Sequence, residues 1–217
     1  MKPFDAGLYL VTDRLLAKGR SVEFIVEQAV KGGVTMVQLR EKELQVNEFV
    51  DLAVRLKKIL APYHVPLIIN DRIDVVLASD ADGLHIGQQD MPYAIARKIL
   101  GKDSIIGLSV ENIGQAKEAN KLDVDYIGLS PVFLTGTKPE LTSGLGLEGV
   151  REIASLSKHY RVAIGGINVR NAADVLQAGA NGIAVVSAIV SADDPMMAAR
   201  EIRQEIDAYK KNRTDKD

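Results

Sequence analysis

The 217-residue sequence contains no cysteine, which excludes disulfide bonds, thiolate metal ligands and cysteine nucleophiles. It also has no apolar run of transmembrane length, and its first residues lack the long apolar core of a signal peptide. The formal net charge is −2, which gives no argument for a nucleic-acid or membrane surface. We therefore expect a cytoplasmic protein that binds neither nucleic acid nor membranes.

Eight short apolar runs recur along the chain. Several are rich in Val, Ile and Leu without clean alternation, which is typical of strands covered on both faces. The runs are GLYLVT (7–12), TMVQLR (35–40), PLIIN (66–70), GLHIG (83–87), SIIGLSV (104–110), YIGLSPV (126–132), RVAIGG (161–166) and GIAVVS (182–187). Helical patterns separate them, with the first predicted to begin at Ser21 and the second at Asn47.

Strict alternation of strands and helices predicts a parallel sheet, and eight such units predict a closed (β/α)8 barrel. The alternative is an open doubly wound sheet, but no GxGxxG motif follows the first strand. Hydrophobic residues make up 47% of the chain and no linker divides it. The sequence therefore predicts one barrel domain over residues 1–208 and a solvated tail over residues 209–217.

In such barrels the active site lies where strands end, whereas the opposite face mainly serves stability. The polar residues at predicted strand ends are Asp13, Gln38, Arg40, Lys42, Asn70, Asp71, Gln88, Asp90 and Ser109. The polar residues that precede strands are His64, Asp80, Asp82, Asp123, Asp125 and His159. We expect the second group to be turn formers and solvated charges. His85 lies within a strand and is either a base near the pocket or an interior histidine with its hydrogen bonds satisfied. We favour the second interpretation, because the sequence shows no partner for a base.

Asp71 and Asp90 follow the third and fourth strands, whose ends are neighbours in the predicted sheet. Two carboxylates, completed by water and substrate phosphate oxygens, are a usual way to hold Mg²⁺. Both residues also precede predicted helices, so helix capping is an alternative interpretation. The spacing leaves the two interpretations open.

The segment VQLREK ends the second strand. Gln38 and Arg40 are two residues apart, so they share one face of the strand, and Leu39 points the other way. Lys42 lies just past the strand. Two cations beside a candidate Mg²⁺ site suggest a polyphosphate clamp. The alternative is an ordinary salt bridge, with Glu41 or another neighbouring carboxylate as partner.

Two further segments offer anion donors. Gly165, Gly166 and Ser187 end the last two strands, where many barrels bind phosphate through backbone N–H groups. The long loop 130–146 follows the sixth strand and is interpreted as a candidate lid. Its hydroxyl, backbone and ammonium donors are Thr135, Gly136, Thr137 and Lys138.

Taken together, several motifs resemble the thiamine phosphate synthase family over nearly the whole chain. They are LYLVTD, GGVTMVQLREKE, IINDRIDVVLASDADGLHIGQQDMP, IGLSV, SPVFLTGTKP, GLEGV, VAIGGI and GIAVVSAI. The resemblance implies a (β/α)8 barrel that joins two small-molecule substrates, with Mg²⁺ as cofactor. These are 4-amino-2-methyl-5-hydroxymethylpyrimidine diphosphate and 4-methyl-5-hydroxyethylthiazole phosphate. The implied products are thiamine phosphate and pyrophosphate, formed through a pyrimidine methyl cation that the thiazole nitrogen captures.

The resemblance also implies residue roles. On the pyrimidine side, Gln38 and Asn70 would contact the ring and Ser109 would lie near the ring and the leaving group. Pyrophosphate would be held by Arg40, Lys42 and Lys138, and Mg²⁺ by Asp71 and Asp90. On the thiazole side the residues would be Thr135, Thr137, Gly166, Val186 and Ser187. The full substrate-binding set adds Leu39, Glu41 and Gly136, and the catalytic set is Arg40, Lys42, Ser109 and Lys138.

The chain departs from the family pattern in two places. The family more often has Gly-Pro-Val-Phe-Pro-Thr where this chain has residues 130–135, and often Ile-Ser where it has Val186 and Ser187. The first difference bears on the stiffness of the loop, and the second keeps the backbone donors. A thiazole tautomerase of the sister group and a non-catalytic phosphate-binding barrel remain alternatives. The oligomeric state is left open.

Overall fold

The computed structural model describes residues 4–134 and 144–214. Eight parallel strands form a closed barrel in chain order, as the sequence predicts. The strands are β1 (Leu8–Val11), β2 (Met36–Leu39), β3 (Leu67–Asn70), β4 (Gly83–Ile86), β5 (Ile105–Val110), β6 (Tyr126–Leu129), β7 (Tyr160–Ile164) and β8 (Gly182–Val185). Pairing of β1 with β8, where Leu8 is opposite Ile183, closes the barrel.

Helices connect the strands and cover the outside of the barrel. They are α1 (Val22–Lys31), α2 (Val46–Leu60), α3 (Ile73–Ser79), α4 (Tyr93–Leu100), α5 (Ile113–Ala119), α6 (Gly146–Leu156), α7 (Ala172–Gln177), α8 (Ser187–Val190) and α9 (Pro195–Thr214). In the described part of the chain, no helix combines the length and the apolar character needed to cross a bilayer.

The helix boundaries follow local chemistry. Ser21 caps α1 as predicted, because its side chain accepts a hydrogen bond of 3.1 Å from the Phe24 N–H. The predicted start of α2 at Asn47 is wrong, since the helix begins at Val46 with Gln45 in the extended N-cap position. The last helix continues to Thr214, beyond the predicted end of the barrel domain at residue 208.

The core has two layers because strand side chains alternate in direction. Leu39 and Ile69 lie in the layer between the strands and the helices. Tyr9, Ile68 and Tyr126 lie inside the barrel. The inner layer closes the floor of the barrel, so any open space lies toward the strand ends.

Two residues that precede strands are not solvated, which corrects the prediction made for their group. Asp125 is buried; it accepts hydrogen bonds of 2.7 Å from the Ile106 N–H and 2.6 Å from the Arg97 guanidinium. His159 is buried too, with Nε2 at 2.9 Å from the Ala119 carbonyl oxygen. Polar groups taken out of water need such partners, so these residues stabilise the fold at the face opposite the strand ends.

Candidate active site

A cavity of about 480 Å³ opens at the carboxyl ends of the strands, and side chains from every strand line it. Its wall is mixed, with polar and charged groups on the β1–β5 side and small or apolar residues toward β7 and β8. Ten predicted site residues line it: Gln38, Arg40, Lys42, Asn70, Asp71, Asp90, Ser109, Gly166, Val186 and Ser187.

Side chains at the end of β2 alternate in direction, as the sequence predicts. Gln38 and Arg40 line the cavity, whereas Leu39 is completely buried under the helices. Placing the Leu39 side chain among the substrate contacts is therefore wrong. Glu41 does not line the cavity either; its side chain is 4% exposed and pairs with Arg14 at 3.3 Å. The salt-bridge alternative therefore fails for Glu41, whose partner is Arg14 rather than Arg40 or Lys42.

Arg40 is held at the cavity by the loop after β1. Its guanidinium lies 3.7 Å from the Asp13 carboxylate, and its backbone N–H donates to the Thr12 hydroxyl at 3.0 Å. Asp13 is itself fixed by hydrogen bonds from the Leu15 and Leu16 N–H groups. Sequence reasoning placed Asp13 at a strand end but assigned it no role. The fixed carboxylate limits the positions open to the Arg40 fork.

Lys42, Asp71 and Asp90 form a charged group at the rim of β2, β3 and β4. The Lys42 ammonium donates to Asp71 at 3.0 Å, and Asp90 accepts from the Gly87 N–H at 2.7 Å. Burial raises the pKa of Asp90, and the Asp71 carboxylate beside it raises that pKa further. Two carboxylates therefore repel each other at this rim, with one ammonium as partial compensation.

The capping interpretation of these carboxylates is wrong. The N-cap residues of α3 and α4 are Arg72 and Pro92, and neither helix start receives a side-chain cap hydrogen bond. Asp71 instead has a left-handed backbone, with φ of 61°, that directs the chain between β3 and α3. A pair of carboxylates open to the cavity fits a hard cation that keeps other oxygen ligands, as Mg²⁺ does. No cluster of three or more metal-binding side chains is found within residues 4–134 and 144–214.

A chain of hydrogen bonds crosses the floor of the cavity. Gln38 Nε2 donates to the Tyr9 hydroxyl, which bonds to the Tyr126 hydroxyl; Tyr126 bonds to His85 Nδ1, and His85 Nε2 bonds to the Ser109 hydroxyl. Each of the four distances is 2.9 Å. The interpretation of His85 as a satisfied interior histidine is confirmed. Sequence reasoning missed both tyrosines, which look like ordinary core residues within apolar runs.

Gly165 and Gly166 turn the chain after β7, with φ of 109° and 63°. They also allow close packing, since a Cβ on Gly165 would lie 2.7 Å from the Pro131 Cβ, and one on Gly166 would lie 2.8 Å from the Phe133 Cβ. Their backbone and the start of α8 at Ser187 border the same corner of the cavity. This corner can offer backbone N–H groups and a hydroxyl to an anion.

The loop after β6 is described only at its two ends. Val132 and Phe133 donate backbone hydrogen bonds to Ile164 and Gly165, at 2.8 and 3.1 Å. The returning end is fixed as well, with the Leu145 N–H donating to the Pro131 carbonyl at 2.8 Å. The predicted site residues Thr135, Gly136, Thr137 and Lys138 lie outside the described residues.

The barrel, its rim of cations and carboxylates, and its glycine corner define a (β/α)8 enzyme whose cavity suits phosphorylated small molecules. Comparison with known proteins narrows this class. The thiamine monophosphate synthase model matches residues 8–189. The chain belongs to this family, and it is therefore a transferase.

Individual relatives agree. The thiamine-phosphate synthase of Albidiferax ferrireducens is 51% identical over 201 residues, 93% of this chain and 92% of the relative. That of Clostridium novyi is 49% identical, covering 90% of this chain and 96% of the relative. A solved thiamine phosphate pyrophosphorylase from Pyrococcus furiosus is 38% identical with a TM-score of 0.86, covering 94% of this chain and 96% of that one.

Proposed function

We propose that this chain condenses 4-amino-2-methyl-5-hydroxymethylpyrimidine diphosphate with 4-methyl-5-hydroxyethylthiazole phosphate. The products are thiamine phosphate and pyrophosphate, and the reaction depends on Mg²⁺. Family membership supports the overall reaction. The observation that carries the assignment of the site is its division into three regions within one cavity: a polar floor, a charged rim and a glycine corner.

The charged rim is assigned to the diphosphate. Arg40 and Lys42 supply two cations, of which Arg40 forms an ion pair with Asp13 at 3.7 Å. Asp71 and Asp90 would repel a diphosphate on their own, so their presence at the same rim favours a bridging divalent cation. Mg²⁺ held by these two carboxylates, with phosphate oxygens and water completing its shell, would neutralise charge on the leaving pyrophosphate.

The polar floor and the glycine corner are assigned to the two rings. Gln38 and Ser109 face the pyrimidine, with Asn70 on the wall beside them. Gly166, Val186 and Ser187 border the corner assigned to the thiazole phosphate. The resemblance to the family adds Lys138, which lies outside the described residues, as a further ligand of the pyrophosphate.

The proposed chemistry begins with cleavage of the C–O bond, whose electron pair leaves with pyrophosphate. Arg40 and Lys42 stabilise the charge that develops on the leaving group, and a preorganised donor of this kind typically contributes about 3–4 kcal/mol. The thiazole nitrogen then donates its lone pair to the methylene cation, and the C–N bond forms. No proton has to be removed from the thiazole nitrogen, so this route needs no strong protein base.

The histidines argue against the tautomerase alternative, which would use a histidine-centred proton shuttle. The sequence has three histidines, and of these only His85 lines the cavity. Both ring nitrogens of His85 are engaged at 2.9 Å within the barrel wall. The cations at the rim also have no evident use in a tautomerase, which handles no diphosphate.

One assay tests the proposal against both alternatives. Purified folded protein is mixed with both substrates and Mg²⁺, and pyrophosphate and thiamine phosphate are followed together. We expect equal amounts of the two products. A second reaction supplies the tautomerase substrate alone, and its isomerisation by protein that releases no pyrophosphate in the first reaction would indicate a tautomerase. Saturable ligand binding with neither product would indicate a non-catalytic barrel, and either result contradicts the proposal.

A further inference from the structure

We propose that Tyr9, Tyr126 and His85 are positioning residues, which fix the hydrogen-bonding atoms that Gln38 and Ser109 present to the pyrimidine. The identity of the ligand rests on the proposed function, whereas the arrangement of protons rests on the structure alone. None of the three residues is assigned to the chemical step. They act through the two residues at the ends of their chain.

The hydrogen-bond chain from Gln38 to Ser109 lies in the interior of the barrel. Tyr9 and Tyr126 are 1% and 0% exposed, and Gln38 is 5% exposed. The Tyr126 ring stacks on His85 with centroids 5.5 Å apart, and it meets Tyr9 edge-on at 5.9 Å. Buried polar networks of this kind stabilise one arrangement when every member has a partner.

Two glycines make room for these rings. A Cβ on Gly107 of β5 would collide with the Tyr126 ring, and one on Gly128 of β6 would lie 3.2 Å from the His85 Cε1 atom. Glycine weakens the interior of a strand, so it often marks a place where another group approaches closely. Both glycines therefore accommodate the hydrogen-bond chain.

Counting protons along the chain assigns a direction. Gln38 Nε2 donates to the Tyr9 oxygen, so the single Tyr9 proton goes to the Tyr126 oxygen. The Tyr126 proton then goes to His85 Nδ1, and His85 Nε2–H donates to the Ser109 oxygen. Burial raises the pKa of both phenols, so each keeps its proton at neutral pH.

The direction of donation determines which hydrogen-bonding atoms Gln38 and Ser109 present to the cavity. With Nε2 turned to Tyr9, Gln38 has its carbonyl oxygen left to accept a hydrogen bond. Because His85 donates to its oxygen, Ser109 keeps its own proton for another acceptor. An aminopyrimidine requires both, since its amino group needs an acceptor and its ring nitrogen needs a donor. The observed direction therefore matches that ligand.

The alternative is that every hydrogen bond between Gln38 and Ser109 is donated in the opposite direction. It would require the Gln38 carbonyl oxygen to face Tyr9, the proton of His85 to lie on Nδ1, and Ser109 to donate to His85. Both ends would then change together, and the acceptor at Gln38 and the donor at Ser109 would be lost. A doubly protonated His85 would leave one buried phenol proton without an acceptor, given the observed Gln38 orientation.

Nitrogen-15 NMR of the ligand-free protein tests the direction. The His85 signal is assigned by comparison with His64→Gln and His159→Gln variants, since these are the other two histidines. We expect neutral His85 with its proton on Nε2. A proton on Nδ1, a doubly protonated ring, or a mixture of both tautomers would each overturn the proposal. This measurement requires no substrate and is independent of the proposed reaction.

Kinetics of Tyr126→Phe test the consequence. Without the hydroxyl, we expect mixed tautomers at His85 and a KM for the pyrimidine diphosphate raised about three- to tenfold. The KM for the thiazole phosphate should not change. Tyr160→Phe is the matched control. The Tyr160 hydroxyl donates to the Asn181 carbonyl oxygen and is not part of the hydrogen-bond chain from Gln38 to Ser109. A KM equal to that of wild type, or equal increases for both substrates, would contradict a positioning role.

Tyr9→Phe provides the same test if Tyr126→Phe does not fold. It breaks the chain next to Gln38, so the pyrimidine KM should again rise while the thiazole phosphate KM stays constant. The two proposals fail separately. Wild-type protein with the Nε2–H tautomer but no synthase activity would refute the function alone, whereas active protein with another tautomer would refute the positioning proposal alone.

Discussion

The ammonium group of Lys42 lies 3.0 Å from the carboxylate of Asp71, at the rim where β2 and β3 end. Lys42 is 56% exposed and Asp71 27%, so solvent screens the pair and its net contribution to stability is small. The arrangement is better suited to binding than to stability. Under the proposed function, a bound diphosphate would draw Lys42 away from Asp71 and leave the carboxylate available to a cation.

Replacing the rim carboxylates should weaken the response to Mg²⁺. Asp71→Asn and Asp90→Asn keep the side-chain size, and asparagine tolerates the left-handed backbone at position 71. We expect the Mg²⁺ concentration for half-maximal activity to rise at least about tenfold in each variant. Asp123→Asn, at an exposed position before β6, is the control. Mg²⁺ titrations that match wild type in both rim variants would refute the metal assignment.

Replacing Arg40 should impair use of the diphosphate. Arg40→Gln removes both the charge and the fork, and we expect kcat/KM for the pyrimidine diphosphate to fall about ten- to hundredfold. Steady-state kinetics with the thiazole phosphate held at saturation give this value. Arg55→Gln on α2 removes a cation that pairs with Glu23 away from the cavity, and it should leave kcat/KM unchanged. Equal losses in the two variants would show that net charge alone matters.

Gly107→Ala should destabilise the barrel, because its Cβ would collide with the Tyr126 ring. Overpacking of this kind typically costs about 1–3 kcal/mol in the free energy of unfolding. Urea denaturation measures it. Gly114→Ala, at an exposed position in α5, should stay within about 0.5 kcal/mol of wild type. An unchanged Gly107→Ala variant would mean that the Tyr126 ring can move aside.

Asp125→Ala should lower stability without changing catalysis. The Asp125 side chain is 2% exposed, and its loss removes the carboxylate that pairs with Arg97 and the acceptor of the Ile106 N–H. Arg97 keeps its hydrogen bonds to the Gly101 and Ser104 carbonyl oxygens. Leaving a buried N–H without its acceptor and a partly exposed cation without its carboxylate typically costs about 1–3 kcal/mol. Thermal or urea unfolding tests the loss, while KM values measured at a temperature where the variant is folded should equal those of wild type. A raised KM would place Asp125 in communication with the active face.

The fold was predictable because each strand is a compact apolar run and each helix has its own amphipathic pattern. The position of Gln38 and Arg40 was predictable too, since alternation along a strand is a local property. The salt-bridge partners of the charged residues could not be predicted in this way. Arg14 reaches Glu41 only because the ends of β1 and β2 are adjacent. Nothing in either segment alone indicates that Glu41 avoids the cations beside it.

The polar floor of the cavity also depends on contacts between distant segments, which the sequence alone does not reveal. Tyr9 and Tyr126 belong to strands far apart in sequence, and each lies in an apolar run where a tyrosine looks like core. Their hydroxyl groups meet only when the barrel closes. Gly107 and Gly128 are the signals that the sequence offers, because an interior strand glycine indicates a close neighbour without identifying it.

The backbone at Asp71 has a consequence for the substitutions that the protein can accept. Left-handed φ favours glycine, asparagine and aspartate, so the fold admits a short list of residues there. An ionised carboxylate holds the proposed cation best, and aspartate alone meets both requirements in full. Asp90 does not share the positive φ, so a longer carboxylate there meets no such backbone barrier. In a library of variants, position 71 should therefore tolerate fewer replacements than position 90.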